Sequence, residues 1–80
     1  MTQAEVMLEF LRGNPSWTRQ LWCDGRLLVY KGQPIARMDR GRPREVDWEG
    51  GYDEPPVSGE RRVRAMYRRI TLRDTTVSQN

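Results

Sequence analysis

The spacing of apolar residues changes several times along the chain, and each change marks an element. Between residues 2 and 12, Ala4, Met7, Leu8 and Leu11 recur at helical spacing, widened by Val6 and Phe10. Thr2-Gln3-Ala4-Glu5 has the form of a capping box, in which the threonine hydroxyl and the glutamate three residues on satisfy each other's backbone N–H groups. Gly13 supplies a left-handed cap, and Pro15 cannot continue a helix. The pattern predicts a helix from about Thr2 to Arg12 with one broad apolar face, suited to covering one side of a sheet.

From Trp17 to Met38 the pattern is that of strands. Two apolar runs flank Asp24-Gly25, a dipeptide that favours a two-residue turn with both central residues at positive φ. In the first run, Trp17, Leu21 and Cys23 fall on one face if the chain is extended. Leu27, Leu28, Val29 and Tyr30 form the densest apolar run and predict a strand covered on both faces. Gly32-Gln33-Pro34 is the next break, and Ile35, Ala36 and Met38 carry a third strand. Asp39-Arg40-Gly41-Arg42-Pro43 is a turn by composition. Arg44 to Trp48 then alternates, with Arg44, Val46 and Trp48 on one face and Glu45 and Asp47 on the other, as expected of a half-buried strand near a sheet edge.

Between Glu49 and Glu60 the periodicity dissolves into Gly50-Gly51, Pro55-Pro56 and Ser58-Gly59, which predicts a loop of the long kind that often carries function. Residues 61–73 fit two patterns. Val63, Met66, Tyr67 and Ile70 have helical spacing, whereas Val63, Ala65 and Tyr67 alternate with Arg62 and Arg64 as in a strand. The strand is preferred because a small sheet with one helix leaves an edge wanting cover. The polar residues from Asp74 onward read as a frayed tail. The fold expected is α+β, an N-terminal helix packed on a four- or five-stranded antiparallel sheet, in a single domain spanning residues 1–80.

Composition narrows the chemistry. Eighty residues hold one core, and at this size the stability margin is small. Cys23 is the only cysteine and reads as a small buried hydrophobe; with no histidine, familiar zinc sites and imidazole-based catalysis are excluded. No apolar run approaches the roughly 20 residues needed to span a bilayer, and the N-terminus lacks a basic leader before an apolar core, so no membrane role and a cytoplasmic location are expected. Carboxylate pairs such as Asp53-Glu54, or Glu45 with Asp47, sit in charged, glycine-flanked segments that offer no desolvating pocket to raise a pKa. Ser16 and Ser58 have no candidate base. The expectation is a protein without catalysis or cofactor.

Charge is distributed more tellingly than its total of +3 suggests. Residues 45–60 contain Glu45, Asp47, Glu49, Asp53, Glu54 and Glu60 and no basic residue. Residues 61–73 contain Arg61, Arg62, Arg64, Arg68, Arg69 and Arg73 and no acid. As surface ion pairs these neighbours would neutralise each other for little gain. Left unpaired, they give a two-signed surface. In a protein-binding reading, Trp48, Glu49, Tyr52, Asp53 and Glu54 supply aromatic anchors within an acidic rim, beside Arg61, Arg62, Arg64, Arg68 and Arg69. In a nucleic-acid reading the same arginines, with Arg40, Arg42 and Arg44, follow a phosphate backbone while Tyr67 stacks a base.

The single small domain, one short helix, an antiparallel sheet beginning Trp17-Thr18-Arg19-Gln20-Leu21 and the lack of a catalytic constellation resemble the small proteins that bacteriophages encode against host defence, anti-CRISPR proteins among them. The resemblance is one of overall profile, carried by no motif. It implies a monomeric, stoichiometric inhibitor that caps a surface of a CRISPR effector complex and blocks its access to target DNA. Such a surface is basic, which suits the acidic block from Glu45 to Glu54; the Arg-rich end departs from the acidic composition of DNA mimics.

Overall fold

In the computed structural model the chain runs α1 (Gln3–Arg12), β1 (Pro15–Trp17), β2 (Leu21–Asp24), β3 (Leu27–Tyr30), β4 (Gln33–Asp39), β5 (Arg42–Glu45) and α2 (Glu60–Gln79). The structure describes residues 1–47 and 57–79, with side chains described as far as Leu72. The strands form one antiparallel meander in the order β1-β2-β3-β4-β5. The α+β expectation holds, with a second helix added at the C-terminal end.

Helix α1 starts and stops where its sequence dictates. Thr2 Oγ1 accepts from Glu5 N–H and Glu5 Oε1 accepts from Thr2 N–H, each at 3.1 Å, and Gly13 closes the helix at φ 82°. Its buried stripe is Val6, Met7 and Phe10, while Leu8 is on the flank and partly open. The stripe runs i, i+1, i+4, centred between the two apolar sets of the sequence, because a helix presents only about a third of its circumference to one sheet.

The hairpin turns fall differently from expectation. Lys31-Gly32 (φ 49° and 81°) and Arg40-Gly41 (φ 55° and 78°) are the two loops with both central residues at positive φ. Between β2 and β3 the loop is Gly25-Arg26 rather than Asp24-Gly25, and only Gly25 has positive φ. Asp24 ends β2 instead, its Oδ1 accepting from the N–H groups of Arg26 (2.9 Å) and Leu27 (2.8 Å). The short acceptor thus organises the turn from its first corner. A Cβ on Gly25 would lie 2.7 Å from Gly13 O, so this turn packs backbone to backbone against the end of α1.

The break expected at 32–34 is only the Lys31-Gly32 turn; Gln33 and Pro34 already belong to β4. A register shift opposite Leu28 and Val29 lets both Ile35 and Ala36 face the core.

Residues 61–73 form a helix, against the strand expectation, and α2 continues through the polar residues expected to fray, as far as Gln79. The physical reason lies in its stripe: Val63 and Tyr67 are buried, Met66 and Ile70 pack partly on the core, and all four share one helical face. Strand alternation would have put Met66 and Ile70 opposite Val63 and Tyr67. Phe10 and Tyr67 meet ring to ring at 6.3 Å and 56°. Both helices lie on the same side of the sheet, α1 over β1 and β2 and in contact with α2, and the core lies between them and the sheet. Cys23 is buried there as expected, its thiol 3.3 Å from Asn14 O; burial pushes its pKa up.

Candidate functional site

Strand alternation assigns each residue to the covered or the bare face of the sheet. On the covered face, Glu45 of β5 lies opposite Ala36 and points under α2. This reverses the phase expected for 44–48, in which Arg44 shared a face with Val46 and Trp48 and Glu45 pointed outward. Glu45 accepts from Arg68 Nε and Nη2, both at 2.8 Å, and from Arg64 Nη1 at 3.2 Å. The Arg68 guanidinium, bound through two hydrogen bonds, is the chief reason that the Glu45 pKa lies below the usual carboxylate range.

Arg64 is 7% exposed and ties the molecule together: Nε donates to Glu60 Oε2 (3.3 Å), Nη2 to the Pro34 carbonyl (3.3 Å) and Nη1 to the Val46 carbonyl. Glu60, 1% exposed, keeps one oxygen, Oε1, without a partner among the described residues. Burial, and secondarily the charge of Glu45, raises the Tyr67 pKa to about 12, so the phenol stays neutral.

Of the residues expected to bind a partner, two arginines are therefore committed internally: Arg64 is a structural clamp and Arg68 holds Glu45. Arg61, Arg62 and Arg69 are exposed on the outside of α2. Trp48, Glu49, Tyr52, Asp53 and Glu54 lie outside the described residues. The acidic and basic blocks meet, through Glu45 and Glu60, in an ion-pair cluster that is buried at Arg64 and Glu60 and open to solvent at Arg68.

The bare face carries what the sequence reading did not single out. Trp17 is 71% exposed, away from the face expected for it with Leu21 and Cys23, because the run is broken at Arg19-Gln20. There Thr18 N–H donates to Leu21 O at 2.7 Å, and the chain turns back on itself. Ser16 and Cys23 point inward as a register pair, while Trp17 and Trp22 form the next pair on the outside. Trp22 is opposite Val29, and Val29 opposite Pro34, so an apolar row crosses four strands. Val29 is only 4% exposed yet stands outside the core cluster, flanked by its row neighbours Trp22 and Pro34. The β3 run is buried on both faces, as its composition implied, with Leu28 and Tyr30 in the core cluster and Val29 on the other side.

Beside the row, Leu27, Arg37 and Arg44 are register partners across β3, β4 and β5, and Asp39 pairs with Arg42 beyond them. Arg44 is bonded to Asp39 at 3.2 Å; Arg37 and Arg42 are exposed and have no carboxylate partner among the described residues. Asp24, the other acid of this face, is occupied with the turn N–H groups. A shallow hollow of about 370 Å³ at the β4–β5 tip is lined by Asp39, Arg40, Arg42, Pro43 and Arg44. The bare face is thus aromatic on β1–β2 and cationic on β4–β5.

Among the described residues no cluster of histidine, cysteine or carboxylate side chains is arranged to hold a metal ion, and no helix is long and apolar enough to cross a membrane. No family model, curated protein or solved structure matches the chain.

Proposed function

We propose that this protein acts by binding, without turnover, and that it engages its partner through the bare face of the sheet. The observation that carries this is the pairing of Trp17 and Trp22, exposed side by side on a face that neither helix covers. Large aromatic surface left in water costs free energy, and tryptophan and arginine together are the residues in which binding energy concentrates. The guanidiniums of Arg37 and Arg42, two and three strands away on the same face and without a carboxylate bonded to them among the described residues, select a partner surface that is anionic.

Inhibition of a larger host machine, the role implied by the resemblance to anti-CRISPR proteins, is one use of such a domain. The sheet face would not serve it by DNA mimicry, since it has the same sign as a nucleic-acid channel. Glu45, the inhibitor surface's first acid, is engaged by Arg64 and Arg68.

Retention on heparin, an anionic polymer, tests the reading. Arg37→Glu with Arg42→Glu lowers the salt needed for elution more than Arg61→Glu with Arg69→Glu on α2. The reverse ranking, or no retention of the parent protein at low salt, rejects the sheet face as the binding surface.

A further inference from the structure

Trp17 and Trp22 are register partners on adjacent strands, so their Cβ atoms lie about 5 Å apart and both rings rise from one face. Two flat π surfaces at that interval favour a ligand with flat groups repeated at short, regular spacing. Arg37 and Arg42 stand two and three strands across the sheet from Trp22, in rows displaced from it by roughly 7 and 14 Å along the strands, and favour anionic groups on the same ligand. The hollow between Arg40, Arg42 and Arg44 offers a further place for an anion at the end of the track.

Several anionic partners fit the charge, but few fit the rings as well. A nucleic-acid duplex presents phosphates and hides its base faces within the stack. An anionic lipid surface presents charge without rings, and an acidic protein segment presents carboxylates without a regular aromatic repeat. Resting on the bare sheet face as the binding surface, we infer that the ligand is single-stranded nucleic acid. Trp17 and Trp22 stack successive bases, and Arg37, Arg42 and Arg44 hold the phosphates that follow. Arg44 releases Asp39, an exposed pair of little worth, in order to do so. From β1 to β5 the sheet is about 19 Å wide, which gives a site on the order of four nucleotides, the lower end for small sheet-based binders.

Fluorescence anisotropy with a labelled twelve-residue oligothymidylate, and with a labelled duplex of the same length, tests this at low and physiological salt. The single strand binds at least about tenfold more tightly than the duplex, and its affinity falls with salt. Trp17→Ala with Trp22→Ala weakens single-strand binding by roughly tenfold or more. Trp17→Phe with Trp22→Phe restores part of it, because a ring remains to stack on. Circular dichroism of each variant establishes that it is folded.

Three results overturn the inference: no binding of the oligonucleotide at low salt, equal affinity for strand and duplex, or binding indifferent to both tryptophan variants. If heparin retention still depends on Arg37 and Arg42 while the oligonucleotide fails to bind, the inference fails, and the sheet face stands as a surface for an anion other than single-stranded nucleic acid. If light scattering shows a dimer that Trp17→Ala with Trp22→Ala dissolves, and the oligonucleotide does not compete with it, the face is covered by a second copy and the inference also fails.

Discussion

The two faces of the sheet use arginine in opposite ways. Under the helices, Arg64 is almost wholly buried, and its guanidinium is shared among Glu60, Glu45 and two main-chain carbonyls. On the other face, Arg37 and Arg42 are open to solvent with no carboxylate to answer them among the described residues. The first arrangement fixes where α2 sits relative to β4 and β5; the second leaves charge available. Position relative to the cover, rather than residue type, decides which arginine supports the fold and which can meet a partner.

The sharpest way to break that contrast is to remove one arginine from each face. Arg64→Ala strands Glu60 in the core as an uncompensated charge, with an oxygen that already lacks a partner. Loss of one member of a buried pair costs about 3–5 kcal/mol, a large part of the stability of a chain this small. Arg37→Ala changes stability by less than about 0.5 kcal/mol. Urea unfolding of the two variants measures both. Equal losses would mean that Arg37 has a structural role, or that Arg64 does not.

Acid acts on the covered face in the same direction, with a smaller effect. Glu45 has its pKa lowered in the folded protein, chiefly by Arg68. Its unfolded counterpart takes up a proton first as pH falls, so the ion pair's contribution is fully present above the ordinary carboxylate pKa and is lost as pH drops through the lower, folded value. Thermal stability therefore falls below about pH 4.5. Glu45 is partly open to water, so its share is on the order of 1 kcal/mol once screening is allowed for. Glu45→Gln flattens this part of the pH profile. An unchanged profile in that variant would place the acid sensitivity elsewhere.

How far these faces were legible in the sequence depended on whether the determinants were local. The capping box at Thr2 and Glu5, the left-handed Gly13, the strands over residues 27–30 and 35–38 and the burial of Cys23 all follow from residues a few positions apart, whereas the division of the first run into β1 and β2 does not. The α2 assignment failed because residues 61–73 satisfy two periods at once. The α1 stripe and the Glu45 carboxylate of β5, which receive the apolar and the charged sides of that helix, come from distant parts of the chain. The bare-face site was hidden for a related reason. Leu21-Trp22-Cys23 does signal an outward Trp22, but Trp17 joins it only through the turn at Arg19-Gln20 and the register that the turn sets. One residue of slip would have carried Trp17 to the covered side. Arg64 and Arg68 looked no different from Arg61 and Arg62 along the chain; Arg61, Arg64 and Arg68 even share one helical stripe, and what sets the latter two apart is the Glu45 carboxylate that β5 brings to them.

A small stability effect is expected where the side chains are largest. Trp17 already spends most of its surface in water, so Trp17→Ala forfeits little beyond its cross-strand contact with Trp22, about 0.5 kcal/mol. Trp22 is less exposed and flanks Val29, so Trp22→Ala costs somewhat more, about 1 kcal/mol. Phe10→Ala on the covered face costs about 3–5 kcal/mol for a ring of smaller size. Urea denaturation of the three variants gives the order Phe10, Trp22, Trp17. Two tryptophans whose loss hardly affects folding are explained by something other than folding. If Trp17→Ala instead destabilised as Phe10→Ala does, the bare face would be part of the core's support, and its aromatic pair would need no ligand to account for it.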